Sequence, residues 1–367
     1  MKTYPIETID MEKAKELQFK LVDTIQRHFR GDEFLQSGDY GVVPGLGKPK
    51  YTKKVEEVLA DFFSVESCKL VRGAGTGAIR NVMNAKLNSG DKILIHNAPI
   101  YPTSKGIMDS MGLKKVFMDF NDLSSIDEKE IRNLDFCLLQ HSRQNIQDNY
   151  NLKEVIEKLK SINPNLYILI DDNYVVMKVE NIGVQLGGDV SAFSLFKLLG
   201  PEGIGCIVGD KETIKAIDKD NYSGGSQVQG HEAMEALRSL VYAPIMLAIQ
   251  KEVGDEVVER INRGEIIGIK SAFIANAQSR VILVEFESPI AKGVLKHANE
   301  LGAAPYPIGS ESKYEISSMF YRVSGTFLIA NPKLEDYMIR INPMRAGADT
   351  IMRILKEAVD AELKWGE

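Results

Sequence analysis

The chain has little of what marks secreted, metal-binding or nucleic-acid-binding proteins. Its three cysteines, Cys68, Cys137 and Cys206, form no even disulfide set and show no metal-ligand spacing. That scarcity fits a reducing compartment. Five histidines, at 28, 96, 141, 231 and 297, never fall in paired ligand spacing, so no metal is assigned. Basic charge is not in excess either: the formal net charge of −6 gives no footprint for nucleic acid. No apolar run is long enough to span a bilayer, and the start Met-Lys-Thr-Tyr-Pro-Ile-Glu has no apolar signal core. A cytoplasmic location with no membrane partner is expected. Internal repeats and low-complexity linkers are also missing.

What is present is an ordinary globular composition, 44% hydrophobic over 367 residues, enough for a large domain and a smaller one. The apolar spacing predicts an amphipathic helix over 11–29, then a glycine-rich irregular segment over 31–47. Strands are expected near 68–72, 92–96, 115–119, 135–140, 166–171, 190–194 and 205–208, alternating with helical stretches, one of them over 78–87. Such alternation implies an α/β fold with a mostly parallel sheet flanked by helices. A long apolar helix over 231–253 is placed to join the domains. Beyond it, strands at 280–287, 326–330 and 337–341 alternate with helices near 290–301 and 347–364, a smaller C-terminal α/β domain. The expected division is 1–50 as N-terminal helix and active-site segment, 51–253 as the large cofactor-binding domain, and 254–367 as the small domain.

Within this frame one lysine stands out. In Ser194-Leu-Phe-Lys197-Leu-Leu-Gly200-Pro-Glu-Gly203-Ile-Gly205, Lys197 lies between an apolar strand end and a turn-forming run. A buried ammonium is costly unless its pKa falls or it reacts, so Lys197 is a candidate amine nucleophile; the alternative is a lysine snorkelling to water. Upstream, the apolar run 166–170 closes on Asp171-Asp172-Asn-Tyr174. In open α/β sheets ligands gather at the carboxyl ends of strands. An aspartate there can keep a pyridinium nitrogen protonated, or either aspartate can cap a following helix. A third element, Gly73-Ala-Gly75-Thr76-Gly77-Ala78, joins a strand to a helix, where backbone N–H groups cradle phosphate. It also satisfies G-x-G-x-x-A with Asp91 at a ribose-binding distance, which leaves a nicotinamide dehydrogenase or a plain tight turn open.

Taken together, order and spacing resemble the fold-type-I pyridoxal-phosphate enzymes, above all the class V aminotransferase and cysteine desulfurase group, over about residues 51–340. The resemblance implies pyridoxal 5′-phosphate as cofactor and Lys197 as its Schiff-base lysine. It implies Gly75, Thr76, Gly77 and Ser194 at the phosphate, and Tyr101 of Tyr101-x-x-Ser104 stacked on the ring. Asp171, 26 residues before Lys197, would hold the pyridine nitrogen, and Tyr174 and Asn145 or Gln144 the phenolic oxygen. Ser226, in the Gly224–Gly230 segment, would reach the phosphate of a neighbouring subunit, which implies a homodimer with shared active sites. Arg340 would grip the substrate carboxylate, with Arg345 and Arg322 as competing candidates; a guanidinium fork suits that task. Two departures count against a thiol-relay desulfurase: Phe196 stands where desulfurases carry an imidazole, and Cys206 is the last cysteine. The expected function is therefore an aminotransferase acting on a small amino acid. The alternatives are a β-eliminating carbon–sulfur lyase or related lyase, and a non-catalytic cofactor-binding module.

Overall fold

The computed structural model of the protein describes residues 2–275, 280–309 and 311–365. These divide into two compact units. The larger comprises 8–142 and 150–245; the smaller comprises 1–7, 143–149 and 246–367.

The larger unit is built on seven strands: β1 (Ser67–Arg72), β2 (Lys92–His96), β3 (Lys114–Met118), β4 (Phe136–Gln140), β5 (Tyr167–Asp171), β6 (Val190–Ser194) and β7 (Ile204–Gly209). Their order in the sheet is β1-β7-β6-β5-β4-β2-β3. The β3-β2-β4-β5-β6 block is parallel, whereas β7 runs antiparallel to both of its neighbours. A parallel block needs cover on both faces, and its strands read as apolar runs for that reason. Alternate residues show both faces being used. Ile95, Leu138 and Leu169 pack with Val82 and Met83 of the helix Ala74–Lys86, while Leu94, Leu139 and Ile168 pack with Val155 and Leu159 of the helix Leu152–Ile162. The strand positions expected from the sequence lie within one residue of these.

Two expectations are corrected. The helix expected over 78–87 begins at Ala74, so the glycine turn is itself the first helical turn. The strand expected at 326–330 is the helix Gly325–Ala330, because Ser324 accepts a hydrogen bond from the Phe327 amide and caps it; the neighbouring strand is β10 (Met319–Arg322). In the smaller unit β10 lies in a four-stranded sheet with β8 (Ile269–Ile274), β9 (Ile282–Phe286) and β11 (Met338–Asn342), in the order β10-β11-β9-β8, antiparallel throughout. Helices Ala291–Glu300 and Ala348–Trp365 cover one face through Val294, Ala298, Ile351 and Leu355. The chain passes between the units within the helix Gly230–Asn262, which carries Pro244 in its interior. Among the described residues no helix is long and apolar enough to cross a membrane.

Candidate active site

At the carboxyl end of β5, strand alternation turns neighbouring carboxylates to opposite sides. Asp171 accepts hydrogen bonds from the Asn173 amide nitrogen (3.1 Å) and from Asn173 Nδ2 (2.7 Å). Burial raises its carboxyl pKa and the Asp172 charge adds to the rise, while bonds from Asn173 and the Gln140 side chain oppose it. Asp172 is fully buried. Its Oδ1 lies 2.6 Å from His141 Nδ1, and its Oδ2 accepts from the Gly183 amide at 2.9 Å. The second aspartate thus serves the start of the short 3₁₀ helix Gly183–Leu186, eleven residues on, not a helix that follows it directly.

Lys197 lies in the 3₁₀ turn Phe196–Leu198, just past β6. Its Nζ donates to the Tyr174 hydroxyl at 2.8 Å and sits 4.0 Å from the centroid of that ring. Tyr174 has φ of +72°, a left-handed conformation that side chains rarely adopt. Such strain is held in place where the surrounding structure over-determines it.

The two glycine runs recognised separately in the sequence bond to each other. Gly73 and Ala74 donate their amides to the Gly203 carbonyl at 2.8 and 2.9 Å. Gly205 lies under this turn: a Cβ there would stand 2.1 Å from the Ala74 carbonyl oxygen. Gly75 faces Asn173, whose amide oxygen would lie 2.4 Å from an added Cβ. Gly77 is buried in the same helical turn, and Thr76 Oγ1 donates to Thr103 Oγ1 at 3.1 Å. Thr103 follows Tyr101, the N-cap of the helix Pro102–Ser110, by two residues. Ser194 is buried and donates its amide to Asn173 Oδ1 at 3.1 Å.

The larger unit thereby gathers Gly75, Thr76, Gly77, Asp171, Tyr174, Ser194 and Lys197 at strand ends and one helix start, and Tyr101 is the N-cap of the helix whose Thr103 meets Thr76. Ser226 is in the same unit, but its hydroxyl donates to the Asn221 and Ser223 carbonyls of its own turn. Asn145 and Arg340 belong to the smaller unit. Asn145 donates to the Asp148 carboxylate from its backbone nitrogen (2.9 Å) and its side chain (3.3 Å). Arg340 is buried in β11; its Nε donates to the Arg322 carbonyl at 2.8 Å and its guanidinium lies 4.1 Å from the Tyr321 ring centroid. Arg345 donates to Gln250 Oε1 (3.4 Å) and to its neighbour Met344's carbonyl (3.3 Å). Sequence reasoning did not single out Asn173, Gln140 or Thr103. Asn173 lies inside the Asp-Asp-Asn-Tyr string, but its reach to β6 and to Gly75 is a long-range fact.

Pyridoxal phosphate requires an amine for its aldehyde, an acid for its ring nitrogen and backbone N–H groups for its phosphate, and these residues fit it. The donors that Asn173 and Gln140 offer Asp171 are neutral amides, so a cationic ring nitrogen would offset the burial of its charge. The first turn of the helix Ala74–Lys86 carries Gly75, where a side chain would close the space against Asn173. Comparison with known proteins agrees. The family model for class-V aminotransferases matches residues 49–240, and a model for the YhfS-like C-terminal domain matches 255–355. The chain is 50% identical over 363 residues to the uncharacterized protein YhfS of Escherichia coli (strain K12), covering 98% of this chain and 99% of that one. The crystal structure of the pyridoxal-5′-phosphate-dependent protein YhfS from Escherichia coli superposes with a TM-score of 0.96 at 50% identity, covering 98% and 100% of the two chains. A cystathionine γ-synthase from Xanthomonas oryzae pv. oryzae (TM-score 0.72, 14% identity, 95% and 98% coverage) shares the fold alone. So does a methionine γ-lyase from Micromonospora echinospora (TM-score 0.71, 13% identity, 94% and 98% coverage). Fold and site define a fold-type-I pyridoxal-phosphate-dependent enzyme. Within that class, the chain belongs to the class-V aminotransferase family.

Proposed function

We propose that the protein is an aminotransferase acting on a small amino acid, with Lys197 as its Schiff-base lysine. The observation that supports this most is the pairing of Lys197 Nζ with the Tyr174 hydroxyl, in the same unit as the buried Asp171 and the glycine-rich helix start. Bound pyridoxal phosphate supplies an electron sink for the charge released at the substrate's Cα. Lys197 would provide the amine that holds the cofactor and a base to move the substrate's Cα proton. Tyr174 hydrogen-bonds that amine and orients it. Asp171 holds a proton on the ring nitrogen, and Tyr101 covers the ring. Thr76, Ser194 and the amides around Gly75 and Gly77 hold the phosphate, with Ser226 as the residue lent to a neighbouring subunit and Asn145 for the phenolic oxygen. Arg340 takes the substrate carboxylate.

A thiol relay has no support, because all three cysteines are buried and burial pushes the Cys68 and Cys137 thiols well up. The unpaired cysteines suit the cytoplasm. A homodimer is part of the reading, supported by the exposed Leu35, Tyr40 and Tyr222 of the larger unit. The test is borohydride reduction of the pyridoxal-phosphate-loaded protein, peptide mapping, and incubation with single amino acids with and without 2-oxo acids. Label on Lys197 and a new amino acid formed from the 2-oxo acid are expected. Label elsewhere overturns the lysine assignment, and release of ammonia or a thiol without amino transfer makes the protein a lyase.

A further inference from the structure

Asn173 connects three parts of the site that are distant in sequence. Its Nδ2 donates to Asp171 Oδ1 at 2.7 Å, its backbone nitrogen reaches the same oxygen at 3.1 Å, and its Oδ1 accepts the Ser194 amide at 3.1 Å. On its other side it faces the bare Cα of Gly75, with both of its polar atoms within 2.6 Å of where a Cβ would stand. One half-buried amide therefore uses its donor end to orient the carboxylate of β5 and its acceptor end to fix the end of β6, three residues before Lys197. It also presses on the first turn of the helix Ala74–Lys86. A side chain with only donors or only acceptors could not serve both ends, whereas the amide carries an NH2 donor and a carbonyl acceptor on one short stem.

We infer that Asn173 is a positioning residue of the cofactor site: it aims the Asp171 carboxylate and locks the phosphate turn and the lysine-bearing strand end to it. A free carboxylate rotates, whereas one held through the same oxygen by two donors keeps its other oxygen directed. The inference rests on the proposed cofactor role of Lys197 and Asp171, and borohydride labelling of the wild-type protein tests that role separately.

The experiment measures the dissociation constant of pyridoxal phosphate from the long-wavelength cofactor band, across the pH range in which the protein stays folded. Asn173→Ala removes both side-chain bonds and should weaken binding roughly tenfold or more. Asn173→Asp is the discriminating variant. When protonated, its carboxyl keeps the shape of the amide, donates to Asp171 and accepts from Ser194. When ionised, it repels Asp171. Binding by this variant should therefore approach that of the wild type at the acidic end and fall to the level of Asn173→Ala, or below it, as pH rises. The titratable groups near this point are Asp171, Asp172 with His141, and Tyr174 with Lys197. All are shared with the wild type, so the difference between the two profiles reports the introduced carboxyl. A space-filling role would give a profile parallel to the wild type. That result, or Asn173→Ala binding within about twofold of the wild type, would overturn the inference; wild-type protein with no label on Lys197 would instead overturn the cofactor reading beneath it.

Discussion

Asp171 and Asp172 are chemically identical and adjacent, yet their surroundings give them different work. Asp171 sits among neutral amides with its pKa raised by burial, whereas Asp172 is paired with His141 and the Gly183 amide. The sign of the first effect is testable in the cofactor-free protein. A carboxyl whose folded-state pKa is raised stabilises the fold only while protonated, so its cost appears as pH rises through that value. Cofactor-free Asp171→Asn should therefore be more stable than the wild type at neutral pH, with the difference vanishing below the ordinary carboxylate range. Denaturant midpoints at several pH values measure this; a difference that grows toward acid would refute it. Asp172→Ala should act differently. Removing one partner of a buried, hydrogen-bonded pair costs about 2–4 kcal/mol, so this variant should unfold at lower denaturant. Once folded and saturated with cofactor, it should still show the cofactor band. Loss of activity in folded, cofactor-saturated Asp172→Ala, with activity kept in Asp171→Ala, would mean that the two roles are exchanged.

Local sequence signals and long-range packing contributed to different elements. Strand ends at Asp171 and Ser194 were legible, because apolar runs stop there and polar or turn-forming residues begin. The helix start at Ala74 was not, since Gly-Ala-Gly-Thr-Gly reads as a turn; it is helical because Gly203 accepts the amides of Gly73 and Ala74. Likewise Thr326 to Ala330 has strand-like composition, and the Ser324 cap makes it a helix. The contact between the two glycine runs makes a prediction. Gly205→Ala places a methyl group 2.1 Å from the Ala74 carbonyl oxygen, backbone that can yield only by moving the phosphate turn. Overpacking of this kind costs about 1–3 kcal/mol. Pyridoxal phosphate affinity should fall with it, although Gly205 is no proposed ligand of the cofactor. A variant of unchanged stability and unchanged affinity would show that the turn is loose.

For the molecule as a whole, the homodimer proposal rests on Leu35, Tyr40 and Tyr222, which are 83%, 75% and 79% exposed in the single chain. Large apolar side chains this exposed are available to bury in a subunit interface. Sedimentation should show a dimer, and Leu35→Asp with Tyr222→Asp should shift it to monomer with loss of the cofactor band if the sites are shared. A wild-type monomer that holds cofactor fully would refute the proposal. The sequence by itself determined the fold class, the strand positions of the large sheet and the candidate residues Lys197, Asp171 and Thr76. Periodicity, apolar runs and turn residues are local, and they survive without knowledge of what lies opposite. Only the tertiary structure decided that Asn173 ties Asp171 to Ser194 and faces Gly75, and that His141 belongs to Asp172. It also decided that Tyr174 turns through a left-handed conformation to meet Lys197. Each of these depends on which strand ends the sheet order makes neighbours, and pairing between β4, β5 and β6 is a property of the folded chain that no single segment carries.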